Sequence, residues 1–211
     1  MKLNKKSIFG LTIAVGCSAA SAAAVIIPNA DFEDRSGTQY ADAANWNTPA
    51  SFGGGHIRAE SNGGIFTTDA SGNANGTYLF MEQNEVTTSG NLTAVADSTL
   101  YTATVQIGTP LASYAQQPVG YLLEILLDGS VVGSTETTAL AAADSWTTLS
   151  ATYLSGIGAT GQISLRLGDG TTSSDQMFFD NVTLDATAIP EPSSSMLIGL
   201  GGLALILRRR K

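Results

Sequence analysis

The 211-residue sequence has one cysteine, one histidine and almost no positive charge in its middle. Each shortage excludes a chemistry. Cys17 lies within the first twenty-two residues, so the remainder of the chain can form no disulfide. His56 stands beside a glycine run and cannot supply a two-histidine metal site. No Gly-x-Ser-x-Gly elbow accompanies it, and no phosphate loop or dinucleotide fingerprint occurs. Between residues 23 and 190 there is no lysine, and the only arginines are Arg35, Arg58 and Arg166. Seventeen acids against these three arginines leave that stretch at a formal charge of −14. Such a surface repels nucleic acid and anionic lipid. It favours divalent cations and neutral ligands. No long apolar run crosses the middle, and no helical period of any length appears there.

Both ends carry addresses. Met1 to Lys6 holds three lysines, Ile8 to Ala20 is apolar and small, and Ala20-Ser21-Ala22 fits a small-x-small cleavage site. This is the pattern of a secretory signal peptide over residues 1–22. Ala14-Val15-Gly16-Cys17 lacks the branched apolar residue of a good lipobox, so Cys17 is expected to leave with that segment. At the other end stand Pro190-Glu191-Pro192, an apolar run over 195–207 and Arg208-Arg209-Arg210-Lys211. Thirteen residues cover roughly 20 Å as a helix at about 1.5 Å each, whereas a bilayer core of ~30 Å needs ~20. The run suits a stop signal held in the membrane at least transiently, with its basic cluster on the cytoplasmic side. A short permanent anchor is the alternative.

This order of motif, helix and basic end resembles the PEP-CTERM sorting signal of Gram-negative bacteria, over residues 187–211. The resemblance implies recognition by an exosortase and processing near Pro190, Glu191 and Pro192. It also implies delivery to the cell surface, outer membrane or extracellular matrix.

Residues 23–186 make one domain by size. Their apolar pattern has period two. Tyr101 to Ile107, Thr147 to Tyr153 and Gln162 to Leu167 alternate apolar and polar residues, as half-buried strands do. Tyr121 to Leu127 is apolar except for Glu124, the mark of a more central strand, and it runs into the hairpin dipeptide Asp128-Gly129. Further strands are expected over 25–32, 57–60, 64–68, 77–82 and 177–184. Eight or more short strands with polar turns predict an all-β fold, an antiparallel β-sandwich of jelly-roll type.

Asn29-Ala30-Asp31-Phe32-Glu33 at the start and Phe178-Phe179-Asp180-Asn181-Val182 at the end are similar to motifs of galactose-binding-like and carbohydrate-binding-module jelly rolls. The resemblance implies a structural calcium where first and last strands meet, with Glu33 and Asp180 as ligands. It also implies a sugar site on a sheet face or in the loops at one end. A local argument points to the same metal. Strict alternation places Phe178, Asp180, Val182 and Leu184 on one face, and a carboxylate on a buried face needs a partner or a metal. Calcium takes about 6–8 oxygen ligands, so carbonyls and another acid from the 69–75 loop are required as well.

Aromatic rings stack on sugars. The candidates are Trp46 and Tyr78 first, then Tyr40, Phe80 and Tyr114, with Arg58 and Glu60 on one strand to bind hydroxyls. The opposing reading of Trp46 is packing at a sandwich edge. Acid pairs such as Glu82 with Glu85, or Glu60 with Asp69, would be needed for sugar hydrolysis. Most acids of an acidic exported domain are simply solvated. The expectation is therefore a non-catalytic surface or matrix protein. A carbohydrate-binding module tethering cell to exopolysaccharide is the alternative, and a polysaccharide-active enzyme ranks last.

Overall fold

The computed structural model describes residues 21–34, 41–47, 56–59, 65–74, 76–82, 85–111, 120–138, 142–169 and 176–190. Residues 1–20 of the signal segment and residues 191–211 of the sorting tail lie outside these residues. Among the described residues thirteen strands form two sheets, and every strand pair among them is antiparallel. They are β1 (Ala22–Ala24), β2 (Ala41–Asp42), β3 (Trp46–Asn47), β4 (His56–Ala59), β5 (Thr77–Met81), β6 (Val86–Ser89) and β7 (Thr93–Ala94). Then come β8 (Thr99–Thr109), β9 (Tyr121–Leu127), β10 (Ser130–Thr137), β11 (Ser145–Leu154), β12 (Gln162–Asp169) and β13 (Met177–Ala188). One sheet runs β11-β8-β13-β5-β4-β2, with β1 added beside the second half of β13. The other runs β10-β9-β12-β6-β3, with β7 beside β12.

The period-two pattern sets the layers. Tyr101, Ala103, Val105 and Ile107 of β8 point between the sheets, and Tyr121, Leu123 and Ile125 of β9 meet them from the other side. Thr102, Thr104 and Gln106 turn outward, where Thr104 and Thr183 share a hydroxyl hydrogen bond of 2.7 Å. The predicted sandwich is the fold. Strand β9 lies inside its sheet, between β10 and β12, as its apolar run predicts. Asp128 and Gly129 both have positive φ, 47° and 79°, which is what the tight hairpin after β9 requires.

Two expected strands are turns. Residues 25–32 are not extended beyond β1: Pro28 offers no N–H to a ladder, and Asn29 and Phe32 both sit at φ 51°. Residues 65–74 leave the sheet and fold over its outer face. There Ile65 O accepts from Leu111 N at 2.7 Å, and Thr67 N donates to Asp144 Oδ1 at 2.8 Å.

The strand directions give the sandwich two distinct ends. The ends of β5, β8, β10 and β12 and the starts of β6, β9, β11 and β13 gather at one end, called the loop end. Turns 95–98, 128–129 and 155–161 gather at the other. The chain also enters β1 and leaves β13 at this second end, the tail end. Along one side the edges of the two sheets touch. Strand β10 bulges at Gly133, and a Cβ there would stand 2.4 Å from the Thr152 carbonyl oxygen of β11. Gly133→Ala should cost about 1–3 kcal/mol through that overlap, whereas Gly90→Ala, with nothing within 4 Å, should stay within about 0.5 kcal/mol. Urea unfolding of the two variants measures the difference.

Candidate functional site

Asp180 lies close enough to Glu33 and Asp69 to feel their charge, on a strand that does not alternate strictly. Strand β13 carries a bulge between Asp180 and Thr183, with Asn181 at φ 48°. The extra residue reverses the facing of the strand. Phe179 points into the core before it, and Val182 and Leu184 point into the core after it. Phe178 and Asp180 are left on the outer face. Asp180 is buried all the same, 1% exposed, because loop 65–74 covers it. Its Oδ2 accepts from Ala70 N at 3.0 Å and its Oδ1 from Asn181 N at 2.7 Å. Burial pushes its carboxyl up to about 7. The two N–H bonds pull the other way, and the charges of Asp69 and Glu33 add to the rise.

Asp69 organises the covering loop. Its Oδ1 accepts from Ser71 N and Asn73 N at 2.8 and 2.7 Å, and its Oδ2 from the Asn73 side chain at 3.0 Å. Gly76 lies so close that a Cβ would fall 1.8 Å from Asp69 Oδ2. Glu33 Oε1 accepts from Thr77 N at 2.8 Å. Two clefts flank the cluster. One, about 630 Å³, is lined by Asn29, Asp31, Ser71, Asn181 and Thr183 among others. The second, about 460 Å³, lies between Glu33, Gly72, Asn73 and Gly76. Among the described residues no three His, Cys, Asp or Glu side chains are already arranged to hold a metal ion. The donors are nonetheless all oxygen, the chemistry that calcium takes.

The aromatic expectations are corrected. Trp46 is 5% exposed, with its ring 5.4 Å from that of Phe32 and its Nε1 donating to Asn29 O at 3.3 Å. It packs at the sandwich edge. Tyr78 is 1% exposed, inside a second small core of Ile65, Phe66, Phe80 and Phe178 under the covering loop. Trp146 closes that core by stacking on Phe66 at 4.6 Å and donating to Thr68 O at 3.1 Å. Neither Trp46 nor Tyr78 presents a face to a sugar, so a stacking role for them is withdrawn. Arg58 lies on β4 opposite Tyr78. Its side chain, and Glu60, Tyr40 and Tyr114, are outside the described residues.

Two arrangements escaped the sequence reading. On the outer face of the second sheet, Arg166 of β12 pairs across the ladder with Glu124 of β9, which is buried. The signal was present: a lone acid in an apolar strand, and one of only three arginines between residues 23 and 190. At the loop end, Glu85 and Asp169 come together. Glu85 is buried, its Oε2 accepts from Glu82 N at 2.7 Å, and its carbonyl accepts from Asp169 N at 3.0 Å. One carboxylate oxygen of each is sealed from solvent. Gly168 permits the approach, since a Cβ there would stand 2.6 Å from Glu85 O. Acids buried near apolar side chains are a common setting for proton transfer.

Comparison with known proteins places this architecture. The family model of the HpiC1 cyclase matches residues 23–185, and that of the PEP-CTERM protein-sorting motif matches residues 188–211. No curated protein matches the sequence. Among solved structures, a cyclase from Fischerella sp. TAU aligns at a TM-score of 0.67 and 20% identity, over 81% of this chain and 100% of that one. A cyclase from the same source in complex with 4-(1H-indol-3-yl)butan-2-one aligns at 0.64 and 20%, over 80% and 100%. The sorting motif carries export and cell-surface sorting of the Gram-negative kind. The expectation of a non-catalytic protein is overturned, because the family match spans the whole sandwich and is to a cyclase. The chain belongs to the HpiC1-like cyclase family across residues 23–185.

Proposed function

We propose that this protein is an exported enzyme, sorted by an exosortase-type system, that closes or rearranges a ring in a small organic substrate. The family match over residues 23–185, directly followed by the sorting motif, supports this reading. The loop end is the proposed reaction site. Ring closure on an unsaturated substrate needs a proton delivered and a proton removed, and positioned carboxyl groups do both. Glu85 and Asp169 are the proposed carriers. Glu85 is buried and Asp169 half-buried, which lowers the dielectric around them and strengthens their action on developing charge. The substrate class offered for test is an indole-bearing compound, the class held by the Fischerella neighbour.

Calcium is proposed at the covering loop, held by Asp180 and Glu33 with carbonyl oxygens. Its role there is structural. Asp180 supports it, being a buried carboxylate whose described partners are backbone N–H groups and no cation. A bound divalent ion would stabilise the ionised form that burial opposes. Asp69 is left out, since both its oxygens serve its own loop.

Calorimetry with 4-(1H-indol-3-yl)butan-2-one should show binding to the purified domain. Turnover of unsaturated indole-bearing compounds should give a product of unchanged mass and altered retention. Glu85→Gln and Asp169→Asn should each lower turnover by about 10²–10⁴-fold, with a melting temperature within a few degrees of the parent. Full turnover in both variants sinks the assignment.

The metal is tested through pH. The folded-state pKa of Asp180 lies above its ordinary 3.8, at about 7. In chelator the folded chain therefore holds a proton that the unfolded chain has lost, and stability falls as pH rises from about 4 to about 7. At about 1.4 kcal/mol per pH unit this amounts to roughly 4 kcal/mol. Calcium should remove that fall at pH 8, and Asp180→Asn should abolish the response to calcium. Identical melting curves in calcium and chelator at pH 8 would exclude the metal.

A further inference from the structure

The sorting tail and the fold together set how close the sandwich stands to the membrane. Strand β13 is held to its last residue: Ala188 pairs with Thr99, and Ile189 N donates to Ser98 O at 2.7 Å. Free linker therefore starts at Pro190, and the apolar run starts at Met196. The six residues Pro190 to Ser195 reach at most about 22 Å fully extended, at ~3.3–3.6 Å per residue. Crossing the headgroup layer takes about 5–8 Å of that, the difference between a ~30 Å core and a bilayer of ~40–45 Å shared over two sides. The tail end of the sandwich is left within about 17 Å of the lipid surface, about two Debye lengths at physiological salt, and the linker allows full contact.

That end is also where large apolar side chains are exposed. Ile157 is 79% and Leu154 59% exposed, and Val131 and Ile189 are about half exposed. All four lie on or beside the turns of the tail end. Of the described residues, Ile26 is the one exposed large hydrophobic elsewhere. Asp97 and Asp128 share the end, but each spends an oxygen on a backbone N–H, of Gly158 and Gln162.

We infer that, while the tail is attached, the sandwich stands on the bilayer by its tail end, with Leu154, Ile157 and Ile189 against the headgroups and the loop end facing away. The partner is the phospholipid surface itself. The arrangement keeps the proposed reaction site about the length of β8 away from the membrane. At an ~3.4 Å rise per residue, the eleven residues of that strand span roughly 37 Å. The same geometry contains its own release. A domain of charge −14 held against an anionic bilayer is pushed outward once the tail is cut.

The inference rests on the reading of the tail as a membrane segment, and the test separates the two. The chain from residue 23 onward has no cysteine, so single cysteines at Leu203, Ile157 and Ala143 can each carry a polarity-sensitive fluorophore. The chain 23–211 is reconstituted in phosphatidylcholine vesicles containing a lipid-bound quencher. Quenching is expected at Leu203 and at Ile157, and none at Ala143 of the loop end. Quenching at Leu203 with Ile157 no more quenched than Ala143 overturns the inference and leaves the tail reading intact. Absence of quenching at Leu203 removes both.

Discussion

One extra residue in β13 sets what the rest of the molecule can do. A regular strand would carry Phe178, Asp180, Val182 and Leu184 on a single face. The bulge at Asn181 instead lets β13 fill the main core at both ends while sending Phe178 and Asp180 outward between them. Phe178 then seeds a second apolar cluster, and Asp180 receives the backbone of the loop that covers it. The first half of β13 pairs with β5 and the second half with β1, both on the side opposite β8. Core, covering loop, acid cluster and tail thus meet on one strand.

Charge scarcity shapes the electrostatics. With three arginines against seventeen acids, most carboxylates stay in water and the buried ones find other solutions. Glu124 takes Arg166. Asp69 takes the N–H groups of its own loop. Asp180 has two backbone N–H bonds and two acidic neighbours, and burial first, then those neighbours, raises its carboxyl toward neutral pH against the pull of the N–H bonds. Disulfides cannot offset this strain. A cation entering beside Asp180 and Glu33 would.

The sandwich was legible because alternation at period two is the physical requirement of a strand with one wet and one dry face. It held for β8, β11 and β12, and the Asp128-Gly129 turn followed from its need for two positive φ angles. Segments 25–32 and 64–68 misled because their composition is strand-like while their partners are loops. For Trp46 the polar stretch left exposure and edge packing both open, and the fold chose packing by setting its ring beside Phe32. Motifs pointed to Glu33 and Asp180; the loop that covers Asp180 on the outer face was not readable. The cyclase family was not readable at all, since no catalytic motif of fixed spacing marks it.

What the sequence alone determined is export, the sorting tail, the acidity of the displayed domain and its two-layered β architecture. These depend on composition and on order along the chain. The tertiary structure decided which acids are buried, which aromatic rings are hidden, and that the chain enters and leaves at the end opposite the loops. Those features depend on contacts between residues far apart in sequence, such as Glu33 with Thr77, Ala70 with Asp180, and Glu85 with Asp169. A periodic pattern fixes which way a side chain points from its own strand, but not what the fold places above it.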